Sequence, residues 1–150
     1  MISKKTKYAL SSLVFLAKNS HKPVLISELA KKEHLPQKFL ESILLELKKR
    51  GLLQSKRGKG GGYILGKPAE KIILGDVIRI LEGPLAPVPC VSQSAYRRCD
   101  DCLEERCCGI RMVMKDVRDA MANILDNTSL ADVLERIKNE TKNDVEMYVI

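Results

Sequence analysis

A chain of 150 residues with a net charge of +7, five cysteines and no tryptophan can bury roughly 68–70% of its unfolded surface, so one core forms without a covalent staple. No apolar run reaches the roughly eighteen residues of a membrane span, and MISKKTKYAL lacks an apolar stretch before a small-residue cleavage site. These features exclude a span and a secretory leader and predict a cytoplasmic protein. In a reducing compartment an odd number of clustered thiols favours metal binding, redox sensing or reactivity over a disulfide framework.

In chain order, Tyr8, Ala9, Leu13, Leu16 and Ala17 recur at helical steps, which predicts a helix over 4–18 that Asn19 to Pro23 ends. Ser27 suits the N-cap of a second short helix running to about His34, with Ile26 ahead of it as a staple residue. Pro36 suits the first turn of a third helix. This one carries Phe39, Leu40, Ile43, Leu44 and Leu47 on one stripe, sets Lys48, Lys49 and Arg50 at the negative end of the helix dipole, and stops at Gly51. Two short helices joined by a tight turn form a helix-turn-helix candidate.

The period then changes. Leu52–Gln54 and Tyr63–Leu65 read as two strands, and the loop between them, residues 55–62, is glycine-rich and basic, like a wing. A phosphate-binding nucleotide loop would need Gly-Lys-Ser/Thr opening into a helix, and here the glycines lead into Tyr63-Ile64-Leu65. Leu74, Val77, Ile78 and Leu81 predict another helix before an irregular Pro-rich stretch. From Ile110, the residues Val113, Met114, Val117, Met121, Ile124 and Leu125 form a near-heptad stripe on a long helix. A shorter helix follows over 129–137, and residues 138–150 are polar enough to fray.

Charge divides along the same line. Residues 1–75 carry 16 Lys+Arg against 5 Asp+Glu, a net +11, whereas residues 76–150 carry 10 against 14, a net −4. A basic half is the electrostatic footprint of a phosphate-binding surface. Within it, Gln37 and Lys38, with Glu41 one turn on, form the polar opening of the third helix and are expected to reach base edges in a major groove. Arg57 is expected in a minor groove and Lys59 on phosphate, because a thin glycine tip follows a groove floor closely.

All five cysteines fall between Cys90 and Cys108. Adjacent side chains diverge, so Cys107 and Cys108 do not share a metal, and Cys90, Cys99, Cys102 and Cys108 are the candidate ligands. Gly109 is expected to free the backbone where the loop meets the helix. Four thiolates hold a [2Fe-2S] cluster or tetrahedral zinc, and two or more can act as a bare thiol switch; all three readings stay open on spacing alone. The two histidines, His21 and His34, lie near predicted turns with no nucleophile or acid in a catalytic spacing, so an enzyme is not expected.

The order of Leu10 to Ala17, Ile26-Ser27-Glu28-Leu29-Ala30, Phe39-Leu40-Glu41 to Gly51-Leu52, Arg57-Gly58-Lys59-Gly60-Gly61-Gly62-Tyr63, the cysteine loop and Leu125 to Leu134 resembles the Rrf-type winged-helix transcription regulators, the group that includes IscR-, NsrR- and CymR-like proteins. The resemblance spans about residues 1–136, and its most specific part is the wing, R-G-x-G-G-G-Y, which adds Tyr63 to the DNA-binding set. It implies a homodimer joined through the long helix, with each head facing a DNA operator. It also implies sensing of iron-sulfur, redox or nitric-oxide status. IscR-like members hold a cluster with three cysteines and a histidine; Cys102 and Cys108 match two of those cysteines, and Arg111 occupies the histidine's place. NsrR-like members recruit an acid near the N-terminus, where this chain has Lys7. Cys99 is the replacement ligand these departures leave.

The expected architecture is mainly α. A winged helix-turn-helix domain over 1–83 carries a small β-hairpin wing, a cysteine-rich cofactor loop spans 84–109, a long C-terminal dimerisation helix and short helix span 110–137, and a flexible tail spans 138–150. The expected function is DNA-binding regulation through a cysteine-ligated [2Fe-2S] cluster. A zinc-binding or thiol-switch repressor is the main alternative, and a basic protein-interaction module the distant one.

Overall fold

The computed structural model describes residues 2–147. In chain order they form α1 (Lys4–Lys18), α2 (Ile26–Lys32), α3 (Gln37–Lys49), β1 (Leu53–Lys56), β2 (Gly62–Leu65), a 3-10 turn (Ala69–Lys71), α4 (Leu74–Glu82), a second 3-10 turn (Pro89–Val91), α5 (Gly109–Asp126) and α6 (Leu130–Met147). The architecture is mainly helical with one antiparallel two-stranded sheet, in the register Leu53–Leu65, Gln54–Ile64, Ser55–Tyr63 and Lys56–Gly62. This is the winged helix the sequence predicts.

The stripes named from periodicity supply the core. Leu13 and Leu16 of α1, Leu29 of α2, Leu40, Ile43, Leu44 and Leu47 of α3, Leu53 of β1 and Val77 of α4 are fully buried in one cluster. Phe39 is the exception on the α3 stripe: it is exposed, with its ring edge-on to Tyr8 at 5.8 Å between centroids. Ser3 starts α1 by accepting the Thr6 amide at 3.2 Å. Gly51, at φ 76°, takes the left-handed position that follows α3.

Three local expectations are corrected. Ser27 is not the cap of α2: the helix begins at Ile26 with Leu25 as N-cap and no side-chain cap bond. The reason is tertiary, since Val24 and Tyr63 exchange backbone hydrogen bonds of 2.9 and 2.8 Å, which pins the chain to the wing two residues before the helix opens. Gly109, expected to free the backbone where the loop meets the helix, is simply the first residue of α5 and has no positive φ. The Cys108 thiol makes that junction as N-cap, accepting the Arg111 amide at 3.4 Å.

The third correction concerns α6, which runs to Met147 where a helix ending at Ile137 and a fraying tail over 138–150 were expected; residues 148–150 of that tail lie outside the described residues. Its start is fixed by a capping box. The Ser129 hydroxyl accepts the Asp132 amide at 3.1 Å, and the Asp132 carboxylate accepts the Ser129 amide at 2.7 Å, which also lowers the Asp132 pKa. Leu130 is fully buried, and its amide bonds Ile72 O at 2.8 Å while Leu74 N bonds Thr128 O at 3.0 Å. Helix α6 therefore packs on α1 and belongs to the winged domain's core; only α5 and the cysteine segment stand outside it.

Candidate nucleic-acid interface and cysteine loop

The opening of α3 and the wing form one exposed, basic edge. Gln37, Lys38 and Glu41 are exposed on α3, and Arg57 and Lys59 are exposed at the hairpin tip. At that tip Gly58 and Gly60 hold φ values of 91° and 79°, and Gly61 N bonds Gly58 O at 2.9 Å. A side chain at Gly62 would run into the Val24 carbonyl, so this glycine allows the wing to seat against the start of α2. Tyr63 is half-buried, packs against the core, and lines the cleft that runs from Gln37 to the wing. Leu25, Ser27, Ser55 and Lys56 share that cleft and were not among the sequence candidates. Their signal is tertiary: it arises from the Val24–Tyr63 bridge.

Helix α5 differs from every other helix of 13 or more residues among the described residues. None of its residues is buried, and Ile110, Val113, Val117, Met121 and Ile124 project into solvent, Ile110 at 68% and Ile124 at 59% exposure. Met114 and Leu125, from the same predicted stripe, turn toward the chain. The helix is held at its far end by Arg79 of α4, whose guanidinium grips Asp126 with bonds of 2.6 and 2.9 Å. This pairing holds the Asp126 carboxyl below its ordinary value and raises Arg79.

The cysteine segment is tied to α5 by two arginines two turns apart. Arg111 donates to Cys90 O at 3.3 Å and Arg118 to Val91 O at 2.5 Å. Cys90 is consequently buried, Cys102 and Cys108 are half-buried, and Cys99 and Cys107 are exposed; all five thiols are free. The Cys99 thiol is pushed up, chiefly by Cys90 and then by desolvation and the charges of Asp101 and Cys108. Cys102 instead meets Arg98, which donates to its carbonyl at 2.9 Å and is itself raised by the Cys102 side chain. Arg111, in the place that the resemblance gives to a ligand histidine, thus holds loop backbone. Its role was not foreseen, although arginines at positions 111 and 118 share a helical face.

The donor set suits a thiophilic centre: four thiols on one segment match the all-cysteine ligation of a [2Fe-2S] cluster or of zinc. Their arrangement is less complete than the spacing predicts. Cys90 and Cys108 both act on the Cys99 thiol. Among the described residues no group of three or more His, Cys, Asp or Glu side chains is gathered as a metal-holding set. No described helix is long and apolar enough to cross a membrane.

The family model described as an iron-dependent transcriptional regulator, Rrf2, matches residues 2–136. An HTH-type transcriptional regulator of Rhodobacter capsulatus described as rrf2-like is 41% identical over 138 residues, covering 89% of this chain and 92% of that protein. Among solved structures, CymR, the global cysteine regulator of Bacillus subtilis, superposes with a TM-score of 0.77 at 34% identity, over 91% of this chain and 97% of that one. IscR of T. potens gives 0.71 at 29% identity, over 91% and 88%. The winged head, its basic edge and these likenesses converge: the chain belongs to the Rrf2 family of transcriptional regulators.

Proposed function

We propose that this regulator is a cytoplasmic, non-enzymatic homodimer that binds operator DNA through Gln37, Lys38, Glu41, Arg57, Lys59 and Tyr63, and that its cysteine loop is the sensor. The observation that carries the reading is the position of the cysteine segment. It is bonded at Cys90 and Val91 to a helix whose apolar face is uncovered, so any change in the loop acts on the element that would set the spacing of two heads. A two-fold pair of α5 helices would cover the Ile110–Ile124 stripe and present two recognition helices to half-sites about 34 Å apart.

Cys90, Cys99, Cys102 and Cys108 would hold a [2Fe-2S] cluster, and the iron-dependent description of the family supports iron over zinc. The cluster would supply a redox- and ligand-responsive charge at the start of α5. The chain's own residues do the rest: Arg111 and Arg118 fix the loop backbone, and the Cys108 thiol caps α5. A second reading, a bare thiol switch, is favoured by the action of Cys90 on the Cys99 thiol and by the likeness to CymR, a cysteine regulator.

An absorbance spectrum of anaerobically purified protein separates the two. Broad visible bands that vanish in Cys90→Ala, Cys99→Ala, Cys102→Ala and Cys108→Ala but persist in Cys107→Ala support the cluster. Colourless protein with stoichiometric zinc supports a zinc site, and colourless metal-free protein supports the thiol switch. DNA binding is tested alongside by titration against salt: phosphate neutralisation gives a steep negative log-log slope, and a flat one would point to a protein-interaction module.

A further inference from the structure

Leu25 occupies a position where its chemistry is locally wrong. N-cap positions favour Ser, Thr, Asp or Asn, whose oxygens accept the free amides of the first helical turn, and leucine can accept nothing. It offers no compensating burial either, for its side chain is 56% exposed and is not among those packed on the core. A residue that breaks a local rule without an internal gain points to a contact outside the chain.

Its surroundings say what that contact is. The backbone at Val24–Leu25 is fixed by the Val24–Tyr63 bridge and by Gly62, whose missing side chain lets the wing close onto it, so Leu25 is held rigidly. It lines one cleft with Ser27, Gln37, Ser55, Lys56 and Tyr63, between the opening of α3 and the wing. Lys38, Arg57 and Lys59 are exposed on the two elements flanking that cleft, which makes the edge attractive to a polyanion. A leucine gains nothing from phosphate. The major groove offers it one apolar feature, the C5-methyl of thymine, which no other base displays.

We propose that Leu25 is a specificity-determining residue that seats against a thymine methyl beside the base read by Gln37. The assignment rests on the DNA-binding reading above and adds a base preference to it.

The test starts from a duplex selected by the wild-type protein from a random library, in which each thymine is replaced in turn by uracil, removing the methyl and nothing else. At one or a symmetric pair of positions the wild type should lose roughly fourfold in affinity per half-site, the worth of one methyl group. Leu25→Ala should bind the thymine and uracil duplexes equally, near the wild-type level on uracil. Leu25→Ser should melt at a higher temperature, because it restores a cap, and still lose the discrimination. That opposite movement of stability and selectivity separates a contact from a folding defect. A wild type indifferent to every uracil, or a Leu25→Ala variant that keeps the full preference, would overturn the assignment. A library that yields no enriched sequence would instead sink the DNA-binding reading, and this contact with it.

Discussion

Helices α3 and α5 are both amphipathic, yet they end in opposite states. In α3 the residues Leu40, Ile43, Leu44 and Leu47 are sealed beneath α1, α2 and the wing, and the polar face is left free. In α5, eighteen residues long, no residue is buried, and the apolar face is the exposed one. The polar and half-buried side of α5 meets its own chain through Arg111, Arg118 and Asp126. A contiguous exposed apolar face of this kind marks an interaction surface, whereas a buried one marks a self-sufficient core. The winged domain therefore has a closed core of its own, and α5 leaves its apolar face open, as the proposed dimer requires.

The largest effect should come from charging the α5 stripe. Val117→Asp is expected to sediment as a monomer and to lose on the order of 100-fold or more in operator affinity, because two linked heads gain their joint avidity from simultaneous engagement. Its head should still melt cooperatively, since Val117 is not part of the buried core. A Val117→Asp dimer in analytical ultracentrifugation would erase the contrast between the two helices.

Truncation sharpens the same contrast from the other side. Leu44→Ala should destabilise the head by about 2–5 kcal/mol in urea denaturation, the range for deleting a buried leucine side chain. Ile124→Ala should leave the concentration-independent part of stability almost unchanged and raise the dimer dissociation constant. Equal losses of head stability from both variants would mean that α5 is buried in its own subunit.

Within the head, the wing is expected to divide its labour. Lys59→Ala should weaken binding to all sequences alike and reduce the salt slope by about 1, as the loss of one phosphate contact requires. Arg57→Ala should cost most on duplexes with narrow A/T minor grooves. Filter-binding titrations on A/T-tract and mixed duplexes distinguish them, and identical profiles for the two variants would remove the distinction.

The smallest effect concerns the tie between the N-terminus and α4. The Ser3 hydroxyl and amide donate to Glu82 at 2.5 and 2.7 Å; with the Ser3 hydroxyl foremost and Thr6 next, these contacts hold the Glu82 carboxyl down at about 2, against an ordinary 4.5. A folded value below the unfolded one means the contribution is fully present above the unfolded pKa and drains away as pH falls toward the folded one. The stability difference between wild type and Glu82→Gln should be small, constant at neutral pH, and shrinking from about pH 4.5 down to about 2. A difference independent of pH across that window would show that the carboxylate's charge plays no part.

Helix positions, the wing and the thiol cluster were legible in the residues because each is encoded locally. Apolar spacing at three and four residues marked α1, α3, α4 and α5, and the glycine run marked a tip that only positive φ values can turn. Family membership was legible too, because the wing motif and the order of elements are themselves sequence features. Three matters were decided by tertiary contact alone. The cap of α2 fell to Leu25 and not Ser27 because the wing pins Val24, a pairing between residues far apart in the chain. Helix α6 joined the head and ran to Met147 because Leu130 found the α1 side of the core, which no local preference states. The cysteine segment was placed by the arginines of α5, which hold the Cys90 and Val91 carbonyls, while Arg98 holds that of Cys102. Periodicity and turn chemistry act over a few residues and can be read from the string; the partner of a backbone amide or a thiol across the fold is set only when the whole chain has packed.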